Sequence, residues 1–405
     1  MVRIMDGVRV LEVEAWTYVP MAGGVLAEWG ADVLKIEHPE SGDPQRGLIS
    51  SGLVGGGGAV NFMIELPNRG KRSVAIDIGT EEGRDVLLKL AATSDVFLTS
   101  FLPAARRKLG IEVDDIRTVN PDIIYVRGSA LGQEGPESER GGYDFSTFWC
   151  RGGSADTSTP MGAEYPVGQP GGAYGDVLGG MTIAGGISAA LLHRERTGEA
   201  LIVDCSLLGM GAWATGFSIA AAAAFGLERM PSGKRENSPN PLVGTYRTSD
   251  GRFIALVMMQ SDRFWPELVT AMGRPDLATD PRFIDGPTRA QNGAACMGVL
   301  DGIFGSRTLA EWKVALADIQ GNWAVVQSVS EIMVDPQVVA NGYVCDLEDS
   351  TGKPFKLVAS PLQFNETHAE LTRGPEHGEH TDEVLLELGI DMDELIDLKV
   401  KGAIL

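Results

Sequence analysis

An α/β fold, with a Rossmann-like parallel sheet in a large domain plus a smaller α+β domain, is the architecture this sequence predicts. Short runs rich in Val, Ile and Leu alternate with helix-patterned stretches from Val8 to Val126, and such alternation implies right-handed crossovers and a parallel sheet covered on both faces. The length of 405 residues exceeds one ordinary core, so two domains are expected. Late in the chain, Ser249-Asp250-Gly251-Arg252 separates two apolar runs, a hairpin signal that marks the α+β part.

In chain order, a strand is expected over Val8–Val13, a helix over Met21–Trp29 closed by Gly30, and a second strand over Val33–Ile36. The pattern continues with a strand at Ser73–Asp77, a helix at Glu81–Ala92, and strands at Val96–Leu98 and Ile123–Val126. The turn after the first strand, Glu14 to Pro20, has no GxGxxG, which argues against a standard dinucleotide site. Gly55–Gly58 follows no strand and opens no helix, so it reads as a flexible loop in preference to a phosphate cradle. Two basic clusters, Asn68–Ser73 before the third strand and Pro103–Gly110 after the fourth, are expected to meet at neighbouring strand ends and hold phosphates.

The stretch Pro166–Gly198 organises the rest. Its centre, Gly171 to Gly180, holds five glycines in ten residues, which let backbone turn sharply and approach a ligand. Asp176 follows the first of them where a helix should begin and reads as its N-cap; the helix dipole and free N–H groups would keep that carboxylate ionised. An ordinary capping Asp would look the same at this level. Val177, Met181, Ala184, Ile187 and Leu191 recur at helical spacing. His193 lies about four turns further along at ~1.5 Å per residue, too far to assist Asp176.

Beyond Gly198, a strand is expected at Leu201–Leu207 and one Ala-rich helix at Gly209–Phe225. Met230–Asn240 reads as a linker, and Gly244–Thr248 with Phe253–Met258 as the hairpin. Helices at Asp262–Met272, Leu309–Asp318 and Asp382–Leu388 complete the pattern. Phe148, Trp149, Met161 and Tyr165 are candidates to shape a hydrophobic pocket, against the commoner alternative that such aromatics are core.

Composition excludes several classes. Hydrophobic residues at 43% and charged ones at 22% are the balance of a globular domain. No signal peptide or run of eighteen apolar residues is visible, so a cytoplasmic protein without a membrane partner is expected. Cys150, Cys205, Cys296 and Cys345 form no CxxC, which points to reduced thiols and no metal site. A net charge of −21 repels nucleic acid, so any polyanionic ligand needs a local basic pocket.

An ordered set of short motifs then stands out: Gly30–Glu37, Gly42–Arg46, Asn68–Asp77, Gly128–Pro136, Gly142-Tyr143-Asp144, Gly175-Asp176, Arg194–Gly198, Tyr246–Gly251, Asp280–Phe283 and Gly378–Thr381. This set resembles the class III CoA-transferases, the group with formyl-CoA and carnitine CoA-transferases and the related α-methylacyl-CoA racemases. The resemblance spans nearly the whole chain. It implies transfer of coenzyme A from an acyl-CoA thioester to a free carboxylic acid, with Asp176 as nucleophile passing through an aspartyl-acyl anhydride and an aspartyl-CoA thioester. It implies no tightly bound cofactor, coenzyme A being substrate and product. An anhydride must be shielded from water.

Carried onto this sequence, the resemblance places the CoA site at Trp16, Thr17, Arg46, Asn68, Lys71, Arg72, Ser100, Phe101, Lys108 and Tyr143. It also implies an interlocked homodimer and a division into 1–225, the first part of the CoA-binding domain, 226–325, the small domain, and 326–405, a return segment completing the large one. Ser100, Leu102 and Gly141 depart from the residues common in such enzymes, and the position of the glycine lid, Glu236–Pro241, has no glycine run. Racemases carry His where this chain has Tyr143; with an unperturbed pKa near ~10, Tyr is a poor partner for reversible deprotonation. An acyl-CoA racemase or intramolecular CoA-transferase, and a catalytically inactive CoA-binding protein, remain the alternatives at this point.

Overall fold

Strand residues such as Val10, Leu11, Val96, Phe97, Ile124 and Tyr125 are all buried, because alternate side chains of each strand enter two different apolar layers. In the computed structural model, which describes residues 2–52, 60–230, 235 and 238–405, these strands form one six-stranded sheet. Its members are β1 (Arg9–Val13), β2 (Asp32–Glu37), β3 (Arg72–Ala75), β4 (Val96–Thr99), β5 (Ile124–Ser129) and β6 (Ile202–Ser206), in the order β3-β2-β1-β4-β5-β6. Every pairing is parallel. The predicted α/β class is therefore the observed one.

On one face, Val10, Val33, Val96, Leu98 and Ile124 pack with Val19, Leu26, Ile183 and Ile187 from the helices Tyr18–Glu28 and Tyr174–Thr197. On the other, Leu11, Leu34, Val74 and Phe97 meet Leu87 and Leu90 of the Glu81–Ala92 helix, together with Leu385 and Leu395. The strand order reverses between β1 and β4, where Val13 pairs with Thr99. Open α/β sheets bind ligands at the carboxyl ends of strands at such a reversal.

The chain divides into one unit of Met1–Thr157, Pro166–Glu228 and Pro336–Leu405, and another of Ser158–Tyr165 and Arg229–Asp335. The second unit contains the expected hairpin as β7 (Val243–Arg247) and β8 (Phe253–Val257), joined by an edge strand β9 (Trp323–Val325) that is too short to show a pattern in sequence. A further hairpin, β10 (Val344–Glu348) with β11 (Pro354–Val358), belongs to the first unit. The Gly55–Gly58 run, and Glu236 and Asn237 of the expected lid position, lie outside the described residues.

Two expectations are corrected, and one element is added. The two basic clusters do not meet: β2 and β1 separate β3 from β4, and residues entering one parallel strand and residues leaving another lie at opposite ends of the strands. The single Ala-rich helix is two, Leu207–Ala214 and Gly216–Phe225, bent by 64°. The Thr215 hydroxyl at the break donates to Gly211 O at 3.0 Å or Gly152 O at 3.1 Å. The C-terminus carries an additional helix, Met392–Val400, whose first N–H groups are capped by Asp391.

The helix Tyr174–Thr197 is long and apolar enough to cross a membrane by length and composition. Here Gly179, Gly180, Ile183, Ala184 and Ile187 are buried along it, and a Cβ at Gly180 would fall 2.5 Å from Met21 Cβ on the Tyr18–Glu28 helix. That slim profile lets the two helices approach closely.

Candidate active site

Asp176 stands in the first turn of the Tyr174–Thr197 helix, and its N-cap is Ala173, in the left-handed conformation at φ 59°. The expectation that Asp176 itself caps the helix is thus corrected. The cap comes from Asp144, one of whose carboxylate oxygens accepts the Gly175 N–H at 3.0 Å while the other accepts Gln169 Nε2 at 3.0 Å. Gly175 is required at this contact: a Cβ there would fall 2.2 Å from Phe148 Cγ and 2.5 Å from Asp144 Oδ1.

With Asp144 taking the helix-end donor, Asp176 receives no hydrogen bond from the described residues. Burial, and then the negative charge of Asp144, push its pKa up to about 7. The helix dipole expected to keep it ionised is outweighed, since desolvation disfavours a carboxylate more than a helix end favours it. Asp144 is itself raised by burial, opposed by its hydrogen bonds from Gln169, Gly175 and Tyr174. It leads into a π-helical turn, Phe145–Arg151, a form often found at functional sites.

Asp176 opens into a cleft at the β1/β4 reversal, lined by Trp16, Tyr18, Ser100, Phe101, Arg106, Arg140, Tyr143 and Asp144 among others. Four of the ten residues expected to hold coenzyme A therefore share a cleft with Asp176: Trp16, Ser100, Phe101 and Tyr143. Trp16 takes φ 74°, uncommon for a non-glycine residue. Its ring meets Tyr143 edge to face with centroids 5.7 Å apart, and its N–H reaches Asp43 Oδ1 at 3.4 Å.

The other six are placed elsewhere. Thr17 is buried, its hydroxyl accepting Gln45 Nε2 at 2.7 Å. Arg46 forks onto Glu37 through Nε at 2.7 Å and Nη2 at 2.6 Å. Burial would raise Glu37, but the hydrogen bonds from Arg46 and the charge of Lys35 bring it down to about 2. The Lys71 ammonium is fully buried and spends its donors on Glu12, on Pro20 O at 2.8 Å and on Asn68 Oδ1 at 3.0 Å. Arg72 begins β3 and pairs with Asp32 and Glu387. Lys108 lines a separate hollow with Thr80 and Arg84.

Phe148 and Trp149 are 2% and 6% exposed and belong to the core layer, so these two do not shape the cleft; Met161 and Tyr165 are exposed residues of the second unit. Sequence reasoning missed Asp144 as the cap and Arg140 as the exposed cation of the cleft. The only signal for either was position, in the glycine-marked segment following β5. Among the described residues, no three His, Cys, Asp or Glu side chains stand together as a metal ion would require.

Comparison with known proteins gives concordant matches. The profile of the family described as CoA-transferase family III matches residues 5–381. The chain is 30% identical over 397 residues to the (R)-2-hydroxy-4-methylpentanoate CoA-transferase of Clostridioides difficile, covering 98% of each. It is 29% identical to the cinnamoyl-CoA:phenyllactate CoA-transferase of Clostridium sporogenes, covering 98% of this chain and 96% of that one. Among solved structures, a CAIB/BAIF family protein from Brucella suis superimposes with a TM-score of 0.81 at 29% identity, covering 96% of this chain and 100% of that one.

Proposed function

The chain belongs to CoA-transferase family III, and from that premise we propose that it moves coenzyme A from an acyl-CoA thioester to a free carboxylic acid through covalent intermediates on Asp176. The observation that supports this reading best is the Asp176 carboxylate itself, unbonded and poorly solvated in a cleft walled by Trp16, Phe101 and Tyr143. A desolvated carboxylate is a stronger nucleophile than a hydrated one, and the same desolvation protects an anhydride from water.

The chemistry runs as four additions. Asp176 adds to the thioester carbonyl and expels CoA thiolate, leaving an aspartyl-acyl anhydride. The thiolate adds to the aspartyl carbonyl, releasing the donor acid and leaving an aspartyl-CoA thioester. The acceptor carboxylate displaces the thiolate from that thioester, giving a second anhydride. Finally the thiolate takes the new acyl group and frees Asp176. Every nucleophile and leaving group is an anion, so no net proton transfer is needed.

Coenzyme A is proposed to lie along Trp16, Ser100, Phe101 and Tyr143, with Arg140 meeting a phosphate; aromatic faces suit adenine and a guanidinium suits phosphate. Arg46, Thr17, Asn68 and Lys71 then serve the fold through their own polar pairs and not the cleft. The proposed functional division is 1–225 with 326–405 for the CoA-binding part and 226–325 for the small part. Pairing with a second copy is supported by Trp213 and Phe217, 84% and 98% exposed in one chain, and light scattering tests it.

The deciding experiment supplies an acceptor acid labelled with ¹⁸O in its carboxylate. Attack on the aspartyl thioester followed by thiolate capture leaves one labelled oxygen on Asp176, read as a two-dalton gain in the peptide that contains it. Turnover without label in that peptide would refute the covalent route.

A further inference from the structure

Tyr18 opens the Tyr18–Glu28 helix, and its ring rests in gaps left by two glycines. A Cβ at Gly179 would fall 2.2 Å from Tyr18 Cε2, and one at Gly128 3.3 Å from Cε1. Gly179 follows Asp176 by one helical turn, and the side chains of Tyr18 and Asp176 line the same cleft. The Tyr18 hydroxyl is buried without a hydrogen-bond partner of normal geometry among the described residues. The Cys205 thiol is its one polar neighbour and takes a weak hydrogen bond from it; burial, then that thiol, then the charge of Asp176 hold the phenol well above its usual range. It is therefore a standing donor. A thiol is a weak acceptor, so a buried phenol held only by Cys205 is left to turn to a stronger acceptor when one forms beside it.

We propose that Tyr18 is a catalytic residue that donates a hydrogen bond to the carbonyl oxygen of the acylated Asp176, acting at the two additions that occur on the Asp176 side-chain carbon. The inference rests on the reading of Asp176 as nucleophile. In the first of these steps the CoA thiolate forms a sulfur–carbon bond to Cγ of the anhydride. The carbonyl electron pair moves onto Oδ, which accepts the Tyr18 hydrogen bond, and collapse breaks the Cγ–O bond to release the donor carboxylate. In the second, the acceptor carboxylate forms an oxygen–carbon bond to Cγ of the thioester, the same oxygen carries the charge, and collapse expels CoA thiolate. The phenol keeps its proton throughout. The remaining two additions build charge on the substrate's carbonyl oxygen and do not involve this donor.

The test is Tyr18→Phe, which keeps the ring against Gly179 and deletes only the hydroxyl. Loss of one oxyanion donor predicts a fall of about 100-fold in kcat with KM for acyl-CoA unchanged. With acyl-CoA alone, the rate at which the Asp176 peptide acquires the mass of coenzyme A should fall by the same factor, while the thermal midpoint stays at the wild-type value. If that midpoint drops, 3-fluorotyrosine at position 18, which retains shape and sharpens the donor, replaces the first variant; its kcat must then change with donor acidity. Wild-type kcat and adduct rate in Tyr18→Phe, or no response to fluorination, overturns the proposal. Asp176→Asn run in parallel separates the two readings: turnover in that variant sinks the nucleophile assignment, whereas a dead Asp176→Asn beside a fully active Tyr18→Phe sinks only the role of Tyr18.

Discussion

The carboxylate of Asp144 accepts the Gly175 N–H at 3.0 Å and, by doing so, caps the helix of Asp176 while setting a like charge against it. Cap and proposed nucleophile are two acids at one helix end. The first takes the hydrogen bond that would have lowered the second.

The pH dependence of activity should follow from this pairing. On the proposed route Asp176 must be ionised to attack, so kcat/KM should rise with pH through about 7. Asp144→Asn removes the opposing charge and keeps an oxygen acceptor for Gly175, so the acid limb should move to lower pH, by roughly half a unit or more. A profile measured from pH 5 to 9 checks both; an unmoved limb in Asp144→Asn would contradict the electrostatic account.

Asp176→Asn should abolish turnover and stabilise the fold at alkaline pH. The folded pKa of about 7 lies above the unfolded value, so protonation is favoured in the native state. Asp176 therefore contributes fully below the unfolded pKa and loses that contribution as pH rises through 7. An amide never pays this penalty. At pH 8 the variant should gain on the order of 4 kcal/mol, and at pH below about 4 the difference should vanish. Denaturant titration at the two pH values is the measurement.

Two alanines on the Asp176 helix should behave oppositely. Gly179→Ala drives a methyl group into the Tyr18 ring, and overpacking of this kind costs about 1–3 kcal/mol. Gly185→Ala meets nothing within 4 Å and should gain about 0.5–1 kcal/mol from helix propensity. Chemical denaturation of both resolves the contrast.

Lys71→Met and Arg140→Ala separate fold from ligand. Breaking the buried pair of Lys71 with Glu12 leaves a lone buried carboxylate and should cost about 3–5 kcal/mol. Arg140, exposed at the cleft and bonded to Glu137 at 2.8 Å, should be nearly silent in stability. Its loss should raise KM for acyl-CoA by about tenfold, as expected for one charge-assisted phosphate contact. Steady-state kinetics beside thermal melts distinguishes the pair.

Much of this architecture was legible because strands such as Val96–Thr99 are apolar on both faces and helices such as Glu81–Ala92 are amphipathic between clear signals. Trp16, Ser100, Phe101 and Tyr143 were named through the family resemblance, and the structure sets all four in the cleft with Asp176. That Arg46, Lys71 and Arg72 stay out of it was not legible, since a sequence reports charge but not the acid that neutralises it: Glu37, Glu12 and Asp32 each claim one. Nor could local pattern reveal that Asp144, distant in sequence, caps the helix of Asp176. The break at Thr215 was hidden for the opposite reason, an apolar, alanine-rich run with no proline to mark the change of direction.

Trp16 limits how this protein can be redesigned. A large ring on a left-handed corner is tolerated only while the surrounding contacts hold it, and β-branched replacements would be barred by their own backbone sterics. Attempts to broaden the range of accepted thioesters therefore have more latitude at Tyr143, across the gap, where the backbone imposes no such restriction.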